Sequence, residues 1–285
     1  MEDYIKSLIK RFDYIQQQRD NWDTHYQELG DYMLPRKADI VKKRSRGEKR
    51  MEQIYDGTAL QAVDLLSASL HGMLTSGASP WFHLDVKDTE FNADDDVREW
   101  LQDTSMRMMR AFNQSNFETE VHEMYVDLVV FGTGCMFVEM DNGNLRCSTR
   151  HISEFYVQED QHGIVDTVFR KYSLSAVAAV QTFGMENVSE YIRKVYEKKP
   201  DEQVEVLHCV TPRIERDIRK VDNLNMPFMS VYICVETKMK MAEGGFEELP
   251  YVVPRFLKAT GEVMGRSPAM VALPDVKMLN LMSKT

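Results

Sequence analysis

The stretch FGTGCMFVEMDNGNLRCST, residues 131–149, lies where the periodicity of this sequence changes. Before it, residues 117–131 place apolar side chains at steps of four and three, which predicts a helix packed in a core. After Gly132, apolar and polar residues alternate, and Asn142-Gly143 separates two alternating runs, which is typical of a β-hairpin. The sequence therefore predicts a helical first part followed by a β region.

Toward the N-terminus, the sequence predicts more helices. Residues 4–29 carry an apolar stripe on a charged helix, and residues 49–75 carry a second stripe with small residues that allow close packing. Asp94 to Asp96 form the first turn of another predicted helix, because carboxylates are favourable at a helix N-terminus. Residues 76–86 begin with helix-breaking residues and then alternate between apolar and polar side chains, which predicts a half-buried strand.

Toward the C-terminus, alternating segments continue and are interrupted by two helical stretches, at about 174–183 and 186–197. The predicted strands include EQVEVLHCVTPR, FMSVYICVETK and PYVVPRFLK, which begin at residues 202, 228 and 250. Strands that follow helices and connect through hairpins favour an α+β fold. We expect helices flanking a mixed or antiparallel β layer.

Composition limits the classes of protein that fit. The 285 residues are 43% hydrophobic with a net charge of −10, which suits a folded chain and disfavours general binding to nucleic acid or anionic membranes. The N-terminus lacks a basic leader with an apolar core, and no run of about 20 uncharged apolar residues follows. Four widely spaced cysteines without a CxxC pair favour reduced thiols inside a cell. Neither secretion nor membrane insertion is predicted.

Motifs for catalysis are not found. There is no GxxxxGK[ST] or GxSxG, and the seven histidines show no HxH or HExxH spacing. Residues 131–135 join a helix to a strand, the wrong order for a phosphate loop, and predict a tight turn with positive φ followed by a buried Cys135. Asp94 to Asp96, with Asp88 and Glu90 nearby, could hold a hard cation, but adjacent helical residues point about 100° apart. No catalytic residue, metal ligand or cofactor is predicted.

Residues 36–50, hereafter the basic segment, form the strongest local shift in composition. Eight basic residues stand against two acidic ones there. The basic residues are Arg36, Lys37, Lys42, Lys43, Arg44, Arg46, Lys49 and Arg50. Two interpretations stay open: a solvated linker between helices, or an arm that contacts nucleic-acid phosphates without reading base sequence.

Three long stretches in order resemble the head-to-tail connecting, or portal, proteins of short-tailed T7-like bacteriophages. They are YIQQQRDNWDTHYQELGDYMLPRK, LLSASLHGMLTSGASPWFHL and PYVVPRFLKATGEVMGRSPAMVALPDVKMLNLM, which begin at residues 14, 65 and 250. The similarity extends through the whole chain. None of the stretches is catalytic, which fits an assembly protein rather than an enzyme.

The resemblance implies a homo-oligomeric ring, in this family usually of twelve subunits, at one vertex of the virion. Double-stranded DNA would pass through its channel during packaging and ejection. The implied partners are the major capsid protein, the scaffolding protein, the large subunit of the terminase and then the tail adaptor protein. Assembly would take place in the host cytoplasm, without a membrane or a cofactor.

The same resemblance implies a division of the chain by role. Residues 1–131 would form the helical part of the portal wing, residues 132–260 its α/β layer, and residues 261–285 the junction with a stem helix. Family members are longer, and their stem, clip and crown would follow Thr285. The junction residues are Gly265, Ser267, Pro268 and Pro274, of which Ser267 is expected to cap a helix that has Pro268 at its first position.

Two other functions stay as alternatives at this point. One is a phage nuclease that binds a metal through the acidic cluster near Asp94. The other is a monomeric nucleic-acid-binding module that acts through the basic segment. A ring is a much larger assembly than a nuclease or a monomeric binding module, so a measurement of size distinguishes the ring from both alternatives.

Overall fold

The computed structural model describes residues 2–45, 47–87, 94–220 and 222–285. The chain divides into two compact units. The sheet unit contains the residues up to His25, His151–Tyr251 and Gly261–Val263. The helical unit contains Tyr26–Arg150, Val252–Thr260 and Met264–Thr285.

The helices and strands are numbered in chain order. The α-helices are α1 (Glu2–Met33), α2 (Thr58–Leu74), α3 (Asp95–Gln114), α4 (Phe117–Phe131), α5 (Ala176–Phe183), α6 (Glu190–Lys198) and α7 (Pro268–Lys284), with a 3-10 turn at Pro35–Lys37. The strands are β1 (Met136–Asp141), β2 (Asn144–Thr149), β3 (Phe155–Glu159), β4 (Val165–Ser175), β5 (Gln203–Pro212), β6 (Phe228–Cys234), β7 (Met239–Phe246) and β8 (Tyr251–Val252).

The sheet unit is built on five antiparallel strands in the order β3-β4-β5-β6-β7. On β5, Leu207 and Cys209 pack with the apolar stripe of α1, which includes Phe12. The alternate residues Val204 and Val206 pack with the cluster formed by α5 and α6. Because successive strand residues point to opposite faces, the sheet has helices on both sides.

The helical unit is centred on α4. Its apolar face packs against the β1–β2 hairpin, and β8 completes a three-stranded sheet in the order β2-β1-β8. The side chain of Asn116 binds both the backbone N–H and the carbonyl of Cys147, and Glu120 accepts a hydrogen bond from the N–H of Thr149. These side chains of the α4 region cover the backbone groups along the outer edge of β2, which otherwise invite pairing with another strand.

The α+β fold class is confirmed, and so is the change of pattern at Gly132. Gly132 ends α4 in the left-handed conformation, with φ of +78°. Cys135 is buried, as are Cys147, Cys209 and Cys234, and all four are free thiols. No helix within the described residues is long and apolar enough to cross a membrane.

Two predicted elements were wrong in extent or type. The helix expected from residue 49 begins at Thr58, because the side chain of Asn280 binds the backbone of Gln53, Tyr55 and Asp56 in a non-helical conformation. Residues 76–86 form no strand in the part of the chain that the structure describes. There, the N–H of Leu84 donates to the side chain of Ser105 instead of a partner strand.

Of the strand predicted at PYVVPRFLK, only Tyr251–Val252 is a strand, and the other later elements differ less from prediction. The helices expected at 174–183 and 186–197 begin at Ala176 and Glu190, each after a serine N-cap. Strand β7 was not predicted, because its Gly244 and Gly245 weaken the alternating pattern. The division at residues 131 and 260 concerns roles in an assembly and stays a prediction.

Candidate functional site

The basic segment begins at a clamp formed by Gln27 of α1. The Gln27 side chain is buried, and its Nε2 donates to the carbonyl of Ala38 at 2.6 Å. Its Oε1 accepts hydrogen bonds from the backbone N–H groups of Ile40, Val41 and Lys42 at 3.3, 2.9 and 3.0 Å. One amide therefore fixes the path of four neighbouring residues.

A second anchor consists of carboxylates around Arg44. Its guanidinium donates to Asp31 at 2.7 Å, to Asp39 at 3.4 Å and to the carbonyl of Ala38 at 3.0 Å. Arg50 forms an ion pair with the same Asp39. Two of the predicted contact residues thus hold the basic segment in place and do not point freely into solvent.

A third anchor ties the start of the basic segment to α4. Lys37 Nζ lies 2.7 Å from Asp127, whose side chain is 1% exposed, and 3.0 Å from Glu123. Arg36 Nη1 donates to both carboxylate oxygens of Glu123, at 2.9 and 3.0 Å. Burial favours the neutral form of Glu123, but the hydrogen bonds and charges of Lys37 and Arg36 outweigh it and lower the pKa of this carboxyl.

The remaining cations of the basic segment are more accessible. Lys42 is 65% exposed and lies 3.9 Å from Asp31, a weak contact. Lys43 and Lys49 are exposed and have no carboxylate partner among the described residues. Arg46 lies outside the described residues. Of the seven described basic side chains, five have carboxylate partners, so the charge available to a phosphate is smaller than the sequence suggests.

The predicted junction is a close contact between two glycines. Gly132 ends α4 and Gly265 precedes α7, and a Cβ on either would overlap the backbone carbonyl oxygen of the other. The N–H of Gly265 donates to Thr133 Oγ1 at 2.8 Å. The chain segment before α7 is therefore joined directly to the end of α4.

Helix α7 begins as the sequence predicts. Ser267 Oγ accepts a hydrogen bond from the N–H of Met270 at 3.1 Å and donates one to the carbonyl of Val130 at 2.7 Å. The same hydroxyl therefore caps α7 and links it to α4. Pro268 occupies the first turn, where no N–H donor is needed. Pro274 lies inside α7 and does not end it.

One face of α7 is packed and the other is open. Leu273 and Asn280 are buried, and Lys277 forms an ion pair with Glu28. The open face of α7 carries exposed apolar side chains at Val271, Met278, Leu279, Leu281 and Met282. Helix α2 shows the same property at Leu65, Met73 and Leu74. Between the two helices lies an apolar groove of about 140 Å³ lined by small residues that include Ala62 and Ala272.

The described carboxylates of the acidic cluster that suggested a nuclease take part in a helix cap and an ion pair. Asp94 caps α3 by accepting from the N–H of Asp96 at 2.9 Å, and Asp95 forms an ion pair with Arg98. Asp88 and Glu90 lie outside the described residues. Within the described ranges, no group of three or more histidine, cysteine, aspartate or glutamate side chains is arranged to hold a metal ion.

Sequence reasoning missed Gln27, Asn280 and Asp127. Gln27 and Asn280 occupy ordinary polar positions on helices, and nothing in the local sequence marks them. Asp127 had a signal, because it is a carboxylate within the apolar run MYVDLVVF and such a position calls for a cationic partner.

Comparison with known proteins gives two relatives along most of the chain. One is the "Probable portal protein" of Bordetella phage BPP-1, 33% identical over 280 residues that cover 96% of this chain and 50% of that protein. The other is the "Portal protein" of Salmonella phage epsilon15, 34% identical over 283 residues that cover 97% of this chain and 51% of that protein. The chain spans about half the length of the curated relatives it matches.

A family profile gives the same result. The profile described as "Bacteriophage head to tail connecting protein" matches residues 5–285, which include both compact units, the basic segment and α7. The chain therefore belongs to the family of bacteriophage head-to-tail connecting proteins.

Proposed function

We propose that this chain forms the wing part of a portal ring at one vertex of a phage capsid, through which double-stranded DNA is packaged and ejected. The observation that carries the proposal is the family match over residues 5–285, together with two relatives that are named portal proteins. The proposed role is structural and includes no catalytic step. A nuclease finds no support in the names of these relatives.

The surface of α7 supports an assembly role. Its first turn is fixed by Ser267 and Gly265, whereas Val271, Met278 and Met282 are 81%, 58% and 67% exposed. Apolar side chains clustered on one helix face are typical of surfaces that another protein segment covers. We infer that α7 starts the stem helix and that its open face packs against neighbouring parts of the ring.

The partners follow from the proposed position. A ring at the portal vertex contacts the major capsid protein and the scaffolding protein, binds the large subunit of the terminase during packaging and receives the tail adaptor protein afterwards. The family resemblance implies that the ring has twelve subunits. Its place is the virion, after assembly in the host cytoplasm.

Electrostatics supports a passage for DNA. The net charge of −10 disfavours the salt-sensitive contacts that lysine and arginine make with phosphates. A channel that transports DNA must let the polyanion slide without being held. Neutralising wing carboxylates should therefore increase DNA retention, and unchanged retention would remove this support.

Images of a longer protein that includes the segment after α7 test the ring directly. Negative-stain microscopy should show closed rings, and a ring of twelve chains of this length would have a mass of about 400 kDa, from 33.1 kDa per chain. A monodisperse monomer would contradict the proposal. Replacing Met278 and Met282 by Glu should reduce ring formation, whereas Ile164→Glu, at a 64% exposed hairpin position, is the matched control.

The exposed lysines of the basic segment carry a second, separate proposal: contact with packaged DNA or with an acidic patch on the capsid. The triple variant Lys42→Gln, Lys43→Gln, Lys49→Gln should weaken binding to a DNA duplex and reduce the slope of its salt dependence. A control replaces Lys194, Lys198 and Lys199 by Gln. Equal binding by both variants, with unchanged head assembly and DNA content, would favour a structural linker.

A further inference from the structure

Two histidines from different helices meet in the helical unit. His71 lies in the last turn of α2 and His122 lies in α4, and their ring centroids are 5.5 Å apart at an interplanar angle of 43°. The two residues are 51 positions apart, so no spacing motif reveals them. The packing of α2 on α4 brings them together.

The two imidazole rings are available for binding. Both residues are partly exposed, so solvent reaches them. Their ring nitrogens have no hydrogen-bond partner among the described residues, although His71 also packs at 6.2 Å from the ring of Tyr125. By contrast, the rings of His151 and His208 bind neighbouring side chains through their nitrogens.

The separation of the rings fits coordination to one ion. Two imidazole nitrogens bound at about 2.1 Å with a tetrahedral angle place the ring centroids about 5 Å apart. The observed separation of 5.5 Å is close to that value. Imidazole is a ligand that suits Zn²⁺, Ni²⁺ and Cu²⁺ and does not suit Mg²⁺ or Ca²⁺.

The local charge also favours a cation. His71 lies at the C-terminal end of α2, which carries the negative end of the helix dipole. Glu118 lies one turn before His122 on α4, and its carboxylate is next to Gly77, just after α2. The helices are held together there by a 3.3 Å contact between Thr75 Oγ1 and the Tyr125 hydroxyl.

We propose that His71 and His122 form a two-histidine site for a divalent transition-metal ion of the Zn²⁺, Ni²⁺ and Cu²⁺ class. Because no third histidine, cysteine or carboxylate of the described residues completes a cluster, water fills the remaining positions. Binding is then weaker than at a structural zinc site with four protein ligands. A bound ion links the end of α2 to α4 and stabilises the helical unit.

Calorimetric titration of the purified chain with ZnCl₂ or NiCl₂ tests the site. The wild-type protein should bind one ion at this site and show a rise in Tm that EDTA reverses, whereas MgCl₂ should have no effect. His71→Gln and His122→Gln should each abolish that binding. The matched control is His162→Gln, at an exposed hairpin turn, which should bind as the wild type does.

Binding that persists in both single variants would overturn the proposal, as would an equal response to MgCl₂. A second measurement does not depend on how the variants fold. In the wild-type protein, substoichiometric Cu²⁺ should broaden the ring NMR signals of His71 and His122 before those of His162. Simultaneous broadening of all three would also contradict the site.

Discussion

The basic segment is rich in charge yet closely held, whereas α7 is rich in apolar side chains and leaves many of them exposed. Both belong to the helical unit. Gln27, Asp31 and Asp127 fix the basic segment through hydrogen bonds and ion pairs. On α7, Val271 and Met282 are largely exposed, so its open face is unpacked from the first turn to the last. Composition alone therefore indicates neither mobility nor burial, because each depends on the partners that the fold supplies.

The largest effect is expected where α7 joins α4. In Gly265→Ala, the new Cβ would overlap the carbonyl oxygen of Gly132, and neither backbone can move without disturbing the bond to Thr133. We expect a loss of about 3–5 kcal/mol in the free energy of unfolding, measured by urea denaturation. Gly57→Ala, where nothing lies within 4 Å, is the control. If the two variants were equally stable, the backbone at the junction would have moved to accommodate the new Cβ at little cost in free energy.

Removing the buried charge pair should have the next largest effect. Lys37→Met leaves the carboxylate of Asp127 buried without its 2.7 Å ammonium partner, which should cost about 3 kcal/mol. Lys43→Met, on the exposed side of the same segment, should change stability by less than about 0.5 kcal/mol. A similar loss in both variants would argue against a specific anchor.

The same variant makes a prediction about pH. The lowered pKa of Glu123 means that its ionised form stabilises the folded state above its ordinary pKa. That contribution is lost as pH falls through the lowered value. In Lys37→Met, the loss should begin at a higher pH, which acid titration followed by circular dichroism would detect.

A smaller effect is expected from the amide clamp. Gln27→Ala removes the hydrogen bonds to Ala38, Ile40, Val41 and Lys42, and water can replace part of them, so we expect a loss of about 2 kcal/mol. Hydrogen exchange of the N–H groups at residues 40–42 should become faster. Gln17→Ala, at an exposed position of α1, should leave both measurements unchanged.

The smallest effect concerns the open face of α7. Met282 is 67% exposed, so Met282→Gln should change the free energy of unfolding by less than about 0.5 kcal/mol. Leu273→Ala on the packed face of the same helix should cost about 2–4 kcal/mol. If the two variants behaved alike, the two faces of α7 would not differ as the structure indicates.

Much of the fold could be predicted from periodicity. The change at Gly132 was visible because a glycine ends an apolar helix and a hairpin turn follows at Asn142-Gly143. The cap at Ser267 was visible because a serine precedes a proline and an apolar run. Each of these signals comes from neighbouring residues in the sequence, and each determines the conformation of those same residues.

The remaining features depend on residues far apart in the chain. The residue at which α2 begins depends on Asn280, more than 200 positions away. The absence of a strand at residues 76–86 depends on the hydrogen bond to Ser105. The pairing of Lys37 with Asp127 likewise needs the packing of the basic segment on α4. The family resemblance supplied the proposed function, which no periodicity or spacing in this chain predicts.

The four buried thiols give each compact unit its own chemical reporter. Cys135 and Cys147 lie in the helical unit, and Cys209 and Cys234 lie in the sheet unit. Burial, with the charge of Glu120, raises the pKa of the Cys147 thiol to about 11, and burial also raises the pKa of Cys209. Because all four thiols are buried, an alkylating reagent reaches each one only when its unit opens, so the order in which the four cysteines are labelled records which unit opens first.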